Sequence, residues 1–347
     1  LAWLSTAVQI GFGAGAVVYA MLGLADRYDP RRVFMLSTLV AAGANLALLA
    51  VPIGGWQAVA LRALTGAAIA GVYPVGMKIA TGWGRDDRAL LIGLLVGALT
   101  IGSASPHLIA FIGGAEWRLT IWASTALATA GGVAILSVGL GPHHARAEKL
   151  DITAIALTWT DRRIRLAVIG YIGHMWELYA FWAWVAVFAG GSYALAGAAD
   201  AGGLGKLTAF AAIALGGLAC VPAGWIADRI GRARVAMFCL IASGGAALLS
   251  AALYGGPVWP MMAVLIVWGI AIIPDSALYS TLVADAAPPE RAGSLLTIQN
   301  ALGFLLTAMT VQAAPALAAL IGWAWVLAVM SLGPAVGIRA MQLLMRG

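Results

Sequence analysis

Two carboxylates lie deep inside long apolar stretches of the chain, and they are the groups best placed for proton chemistry. Glu177 follows Arg165 by 12 residues, which at the rise of an α-helix puts it roughly 18 Å from that charged residue. Asp275 lies well inside the apolar stretch 258–284, directly after Pro274. If these stretches cross a membrane, each carboxylate is costly to bury and marks a proton or ion pathway. We therefore expect Glu177 and Asp275 to bind and release protons.

Other polar groups accompany these carboxylates. His174 precedes Glu177 by three residues, so the two side chains lie on one side of a helix. This spacing predicts a His174–Glu177 pair in or near a solute pathway, although a structural pair that joins two helices fits the same spacing. Gln299 and Asn300 lie within the apolar stretch 293–319, where polar side chains line a cavity or bond neighbouring helices.

The first 140 residues supply cations where the rest of the chain supplies carboxylates. Arg62 lies near the start of the apolar stretch 56–82, and Tyr73 follows it by 11 residues, about 20° away in helical projection. His107 lies near the end of another apolar stretch. Two schemes stay open. Either the carboxylates exchange protons with a substrate, or Arg62, with Lys78 or His107, binds an anion while the carboxylates orient these cations.

The elements that position these groups follow from composition. Of 347 residues, 62% are apolar and 10% are charged, with a mean hydropathy of +0.95. A soluble domain carries about 25% charged residues, and a bilayer core needs about 20 apolar helical residues to cross it. Apolar stretches of about that length occur at 3–25, 33–53, 56–82, 89–112, 119–140, 166–190, 206–227, 235–254, 258–284, 293–319 and 322–342. We therefore predict an all-α integral membrane protein with about 11 transmembrane helices.

The basic residues are distributed asymmetrically among the connections. Most Lys and Arg residues fall in or beside alternate connections along the chain. The connections between these hold only two basic residues, Arg118 and Lys206. By the positive-inside rule the set of connections rich in Lys and Arg is cytoplasmic, as is the C-terminus. This set comprises the connections 26–32, 84–88, 141–165, 228–234 and 285–291. The pI of 9.6 thus reports membrane orientation and not a nucleic-acid partner. We expect a multi-pass protein of the cell membrane, namely a bacterial inner membrane.

Residue spacings typical of cofactor or metal sites do not occur. Cys220 and Cys239 show neither disulfide nor zinc spacing. No nucleophile–base set, metal cluster or Walker-type phosphate loop stands at a recognisable spacing. We therefore predict no cofactor, no metal and no enzymatic activity. The expected partners are a small solute, protons and the lipid bilayer, and we expect a monomer.

The sequence contains an internal repeat, and its two copies each take up about half of the chain. The matches, at spacings of 202 and 203 residues, are Asp26-Arg27 with Asp228-Arg229, Trp56 with Trp259, and Arg88-Ala89 with Arg291-Ala292. Repeated halves are typical of secondary transporters. We predict a first half at 1–140 with five spans, a cytoplasmic linker at 141–165, and a second half at 166–347 with six. The unequal halves predict a twelve-helix protein whose first helix is missing before residue 1, with a natural eleven-span protein as the alternative.

One loop of the second half carries a family resemblance. The stretch 224–234, GWIADRIGRAR, resembles the cytoplasmic loop motif of the major facilitator superfamily. The stretch 22–32, LGLADRYDPRR, is similar to a degraded copy, in which Asp29 and Pro30 stand where glycine and a basic residue are usual. The sequence RALTG at 62–66 looks like a further element of that family. The resemblance assigns gating roles in the cytoplasmic loops to Asp26, Arg27, Gly224, Asp228, Arg229, Gly231 and Arg232.

The resemblance implies a two-half helix bundle that transports a small solute by alternating access. In that fold Asp26 and Asp228 are expected to latch onto the helix N-termini near Ala89 and Ala292, where a carboxylate meets a positive helix end. We favour a proton-coupled transporter of an anion or organic acid. A multidrug or metabolite efflux antiporter is an alternative, and a non-transporting ligand sensor on the same fold is another.

Overall fold

The computed structural model describes residues 2–83, 88–112, 117–142, 154–288 and 291–346. Within these residues the chain is helical and forms no β-strand, which confirms the all-α prediction. The α-helices are α1 (Ala2–Leu22), α2 (Leu24–Arg27), α3 (Pro30–Ala47), α4 (Trp56–Ile69), α5 (Tyr73–Thr81), α6 (Arg88–Ile112), α7 (Trp117–Ala134), α8 (Ala154–Thr160), α9 (Arg162–Leu195), α10 (Ala201–Ile230), α11 (Arg232–Ala252), α12 (Val258–Ile272), α13 (Asp275–Ala286), α14 (Ala292–Ile321), α15 (Trp323–Met330) and α16 (Leu332–Met345).

Eleven segments of the described chain are long and apolar enough to cross a membrane. They are Trp3–Leu22, Pro30–Ala50, Trp56–Ala80, Leu90–Ile112, Trp117–Ser137, Arg162–Leu195, Ala201–Ile230, Arg232–Ala252, Val258–Ala286, Ala292–Ile321 and Trp323–Met345. Each coincides with one predicted stretch, so the predicted number of spans is confirmed.

The helix α9 extends beyond the stretch 166–190 predicted for it. Its N-cap residue, Asp161, accepts hydrogen bonds from the backbone N–H groups of Arg163 and Ile164 at 2.8 and 3.0 Å. A capped start satisfies two of the N–H groups that a helix leaves without partners. The helix therefore begins at Arg162, before the apolar residues, and it overlaps the predicted linker.

Two spans are interrupted near a proline. In the third span a turn at residues 70–72 separates α4 from α5, and Pro74 lies in the first turn of α5. In the ninth span Ile273 and Pro274 separate α12 from α13. Proline lacks an N–H group and so breaks the hydrogen-bond ladder, but it suits the start of a helix. As a result Asp275 lies in the first turn of a helix in the interior of a span.

The interruption in the third span removes the basis of one expectation. The helical projection placed Arg62 and Tyr73 on one face of a continuous helix. Arg62 lies on α4, whereas Tyr73 is the first residue of α5, after the turn. Because a projection at a constant angle per residue holds only along an unbroken helix, the two side chains need not share a face.

In the described part of the chain, two helix pairs form the most extensive contacts between the first five spans and the last six. The helix α6 packs along α10, and α1 packs against α14. In the first pair a Cβ atom built on Gly97 would lie 2.8 Å from the carbonyl oxygen of Gly217, so the two backbones touch. In the second pair the rings of Phe12 and Phe304 lie 4.1 Å apart between centroids. Small residues permit such close approach in membrane helices. The division into halves at 1–140 and 166–347 stays a prediction.

The unusual Asp29-Pro30 dipeptide has a structural explanation. Asp29 is the N-cap of α3 and accepts a hydrogen bond from the backbone N–H of Arg31 at 2.9 Å, while Pro30 takes the first helical position. The guanidinium of Arg31 also bonds the carboxylate at 3.0 and 2.8 Å and donates to the carbonyl of Val138 at 3.2 Å. The hydrogen bonds from Arg31 lower the pKa of Asp29 below its ordinary value. The dipeptide therefore starts α3, and Arg31 ties that helix start to the segment after α7.

Candidate functional site

A buried histidine–aspartate pair joins α9 to the start of α13. The Nδ1 atom of His174 lies 3.0 Å from Oδ1 of Asp275, and the two side chains are 0% and 1% exposed. The distance suits an ion pair, but the ring does not align an N–H group with the oxygen for a hydrogen bond. The contact is therefore an ion pair only when His174 carries a proton and Asp275 does not.

Aromatic side chains enclose the pair. The hydroxyl of Tyr279, one turn along α13, donates to Oδ2 of Asp275 at 3.2 Å. The His174 ring lies 5.7 Å from the Tyr279 ring and 6.2 Å from the Tyr171 ring, between centroids. Tyr171 in turn donates to Oδ1 of Asn300 at 3.2 Å. Gly303 makes room for it, since a Cβ atom there would lie 2.5 Å from the Tyr171 ring. The cluster thus links α9, α13 and α14.

Glu177 has different partners from those predicted. The Ser243 hydroxyl donates to its Oε1 at 2.6 Å, and the Trp268 indole N–H donates to its Oε2 at 3.0 Å. All three side chains are buried. The structure therefore pairs His174 with Asp275 rather than with Glu177. The physical reason is the interruption at Pro274, where the start of α13 brings Asp275 against α9.

Ser243 and Trp268 were missed by the sequence analysis. Both lie in predicted apolar stretches, where a serine or a tryptophan is usually a packing residue. The only signal for them is that Glu177, once placed in lipid, requires two hydrogen-bond donors from other helices. That requirement does not say which helices supply them.

Gln299 lies on α14 and is completely buried. Neither its side-chain oxygen nor its side-chain nitrogen has a hydrogen-bond partner among the described residues. The Nε2 atom of His174 likewise has no such partner there. A buried polar group without a partner costs about 1–3 kcal/mol, so each of these atoms needs an explanation.

The predicted cations lie apart from the carboxylates. Arg62 on α4 and His107 on α6 are half-buried, and neither forms an ion pair or hydrogen bond with another described residue. Lys78 lies in the last turn of α5. Tyr73 packs against an apolar core to which α6 and the later spans contribute. The structure therefore does not bring Arg62 within ion-pair distance of Asp275 or Glu177 in the part of the chain that it describes.

The predicted cytoplasmic loop between α10 and α11 contains an ion-pair network. Arg232 pairs with Asp228 at 3.6 Å, and also with Asp285 near the end of α13. Gly231 adopts a φ of 100°, which permits the turn between the two helices. Asp285 was not predicted, because an acidic residue near the end of a span is common on a solvated surface.

The other gating residues have varied surroundings. The guanidinium of Arg229 stacks over the Trp225 ring at 3.3 Å from its centroid, and Gly224 lies within α10. Arg27 ends α2, whereas the side chain of Asp26 lies outside the described residues. The predicted latches of Asp228 and Asp26 onto neighbouring helix N-termini stay predictions.

One further contact joins α6 and α10, near the end of α6 and the start of α10. The Lys206 ammonium donates to the backbone carbonyl of Ala110 at 3.2 Å. Ala110 belongs to the last turn of α6, whose carbonyl groups have no partner within the helix. A cation at that helix end meets the negative pole of the helix dipole. Within the residues that the structure describes, no group of three His, Cys, Asp or Glu side chains could hold a metal ion.

Comparisons with known proteins agree with the helical architecture. The family model described as Major Facilitator Superfamily matches residues 1–309. No curated protein matches the sequence significantly. The crystal structure of the E. coli fucose:proton symporter FucP is similar over 99% of this chain and 90% of that chain, with a TM-score of 0.69 and 12% sequence identity. At that identity the likeness shows the fold alone.

Proposed function

The chain belongs to the Major Facilitator Superfamily of secondary transporters, and from that premise we propose that it couples the movement of a small anionic solute to the movement of protons. The His174–Asp275 pair carries this proposal. A histidine and a carboxylate stand side by side here, both are buried inside membrane spans, and their atoms are 3.0 Å apart. A carboxylate that is costly to bury in lipid is retained where it serves an ion or proton pathway.

Of the two buried carboxylates, Asp275 suits proton coupling better. Its partner His174 can change its own charge, so the contact strengthens or weakens with each proton. It also begins α13 at an interruption of the span, and transporter sites tend to lie at such broken helices. Glu177 is held by a neutral hydroxyl and a neutral indole, which suits a fixed connection between helices.

The unpaired guanidinium of Arg62 favours an anionic solute. Arg62 lies within the third span, half-buried, with no counter-ion among the residues that the structure describes. A guanidinium in that position offers two parallel donors to a carboxylate or phosphate group. His107 is a second, weaker donor on α6. We propose that these groups bind the solute and that the halves rock about it. The similar symporter carries fucose with protons, which supports the coupling but not the choice of an anion.

The same proposal includes an orientation. The loops with the ion pairs of Arg232 face the cytoplasm of a bacterium, together with the C-terminus, and Lys206 faces outward. The support is the distribution of basic residues in the sequence.

The test is solute-driven proton flux in proteoliposomes of the full-length protein, read with an enclosed pH dye. The probes are monocarboxylates, dicarboxylates, inorganic phosphate, neutral sugars and amphiphilic cations. We expect an organic or inorganic anion to move protons, and Arg62→Gln to raise its KM. Asp275→Asn should abolish proton flux but keep counterflow of the labelled solute. Asp200→Asn, at an exposed carboxylate that caps α10, is the control.

Two outcomes would overturn the proposal. If Asp275→Asn and His174→Gln retain full solute-driven proton flux, the pair does not couple transport. If a solute binds the protein but neither flux nor counterflow occurs, the chain is a ligand sensor on a transporter fold. Proton flux driven by amphiphilic cations alone would instead identify an efflux antiporter.

A further inference from the structure

The starting observation is the unsatisfied amide of Gln299. Its side chain is 0% exposed, and both its oxygen and its nitrogen lack partners among the described residues. Buried side-chain polar atoms in folded proteins nearly always have a protein or water partner. An amide offers two donor hydrogens and an acceptor oxygen. The burial of this amide therefore indicates a small polar molecule beside it. Without such a partner, a leucine at this position would give a more stable fold.

Its place in the fold follows from its neighbours on α14. Leu295 and Gly303 lie four residues before and after Gln299, hence on the same helix face. Leu295 packs in one apolar cluster with Val168 of α9 and Val283 of α13. Gly303 lies against the Tyr171 ring of α9. Gln299 therefore faces the junction of α9, α13 and α14, between that apolar layer and the tyrosine cluster.

Helix geometry puts this junction next to the His174–Asp275 pair. Gln299 is seven residues from the start of α14, and Tyr279 is seven residues from the end of α13, so each lies roughly 10 Å from the predicted cytoplasmic end. Asp275 is 11 residues from the end of α13, roughly 16 Å from that side. The Tyr279 hydroxyl reaches up to Asp275. A polar molecule at Gln299 thus lies at the level of Tyr279, on the cytoplasmic side of the pair.

We propose that Gln299 holds an enclosed water molecule that relays protons between Asp275 and the cytoplasm. The relay rests on the proposed function, since it serves the same carboxylate. A proton that reaches this water passes to the Tyr279 oxygen as the Tyr279 hydroxyl proton passes to Oδ2 of Asp275. The carboxylate becomes a neutral acid, the phenol is regenerated and the water is again neutral. The layer of Leu295, Val168 and Val283 closes the site until the helices part.

A larger ligand does not fit these observations. The side chain of Gln299 is wholly covered, and its neighbours along α14 on that face are in contact with other helices. A water molecule needs two to four polar partners and about the space of one probe sphere. The amide of Gln299 supplies two of these partners.

The test follows protonation of Asp275 directly, with the proton itself as the probe. Time-resolved infrared spectroscopy of the full-length protein in liposomes, after a pH jump, reports the carbonyl band of the protonated acid. The band is assigned by its absence in Asp275→Asn. We expect Gln299→Leu to slow its appearance roughly 100-fold, within the range for a positioned proton-transfer group, and Gln299→Asn to restore much of the rate. Gln312→Leu, the same change farther along α14, should leave the rate unchanged.

A second measurement locates the water without relying on the rate. In radiolytic footprinting, enclosed water generates hydroxyl radicals that label adjacent side chains. Tyr279 should be labelled in the wild type despite its complete burial, and the label should disappear in Gln299→Leu. If Gln299→Leu keeps the wild-type rate, or if Tyr279 is unlabelled in the wild type, the relay is wrong. If the Asp275 band never titrates, the proposed function fails first.

Discussion

His174 on α9 and Asp275 at the first turn of α13 place a ring nitrogen and a carboxylate oxygen 3.0 Å apart in the apolar interior. Each group can carry a charge, and both side chains are buried. The energy of the contact therefore depends on the number of protons that the pair holds. Since the two residues belong to different helices, the gain or loss of a proton changes the strength of the contact between α9 and α13.

This coupling predicts that the two residues act as one unit. His174→Gln should lower solute-driven proton flux by roughly 100-fold, the scale for a positioned proton-transfer group. The double variant with Asp275→Asn should be no worse than Asp275→Asn alone, because changes within one unit are not additive. Counterflow of the solute, which needs no net proton movement, is the internal control in each variant. Full proton flux in His174→Gln, beside its loss in Asp275→Asn, would show that the residues work independently.

Glu177 should matter for stability more than for coupling. Glu177→Leu leaves the Trp268 N–H without an acceptor, and it leaves the Ser243 hydroxyl only the Leu240 carbonyl at 3.3 Å. The change should lower the free energy of unfolding by about 1–3 kcal/mol. Glu177→Gln keeps an acceptor for the indole and should cost less. The measurement is equilibrium unfolding in mixed micelles, beside proton flux. Lost proton flux in a stable Glu177→Gln protein would move Glu177 into the proton path.

Much of the fold could be predicted because lipid restricts the choices. A bilayer admits long apolar helices and leaves each backbone polar group bonded within its own helix. The eleven predicted stretches therefore coincide with the eleven spans. The depth of Glu177 and Asp275 followed from counting residues along a helix, and both side chains are buried.

The partners of those carboxylates could not be predicted in the same way. The spacing of His174 and Glu177 describes one helix, whereas the contact that forms depends on how α13 restarts after Pro274. Ser243 reaches Glu177 through the rotation of α11 against α9, which no local pattern encodes. The unsatisfied amide of Gln299 is also visible only once every neighbour is placed.

The contact between α6 and α10 predicts opposite effects for two glycines of the same helix. Gly97→Ala puts a Cβ atom 2.8 Å from the Gly217 carbonyl oxygen, so the helices must separate, at a cost of about 1–3 kcal/mol. Gly102→Ala meets nothing within 4 Å and gains helix propensity, up to about 1 kcal/mol. Unfolding in mixed micelles measures both. Equal effects of the two changes would contradict the close contact between the halves.

Asp29 predicts a pH-dependent contribution to stability. Hydrogen bonds from Arg31 lower the pKa of Asp29 in the folded protein below its value of 3.8. A lowered folded pKa stabilises the fold above the unfolded pKa, and the benefit disappears as the pH falls through the folded value. Asp29→Ala should therefore cost about 1 kcal/mol at pH 7 and progressively less below about pH 4. Arg31→Gln should remove the largest share of the pH-dependent part, and it should keep the share that comes from the backbone N–H of residue 31. A cost that is constant between pH 7 and pH 3 would contradict this.

The contact of Lys206 with α6 predicts a latch between the two predicted halves, on the membrane side opposite the loop of Arg232. Its ammonium bonds the Ala110 carbonyl in the last turn of α6, a helix end that attracts cations by about 0.3–1 kcal/mol. Lys206→Met removes that attraction and keeps an apolar stem. The population that is open on this side should therefore rise roughly two- to fivefold, the Boltzmann equivalent of that energy. Spin labels at the exposed residues Ile112 and Leu195 report the opening by pulsed electron resonance.

Two controls separate the latch from a general effect of charge. Lys206→Arg keeps a donor and a positive charge, so its distance distribution should match the wild type. Arg118→Met removes a basic residue from the same predicted side, where Arg118 is exposed and lies 5.8 Å from the centroid of the Trp117 ring. It should leave the distances unchanged. If Arg118→Met widens the distribution as much as Lys206→Met does, the effect comes from surface charge, and the contact with Ala110 does not hold the halves together.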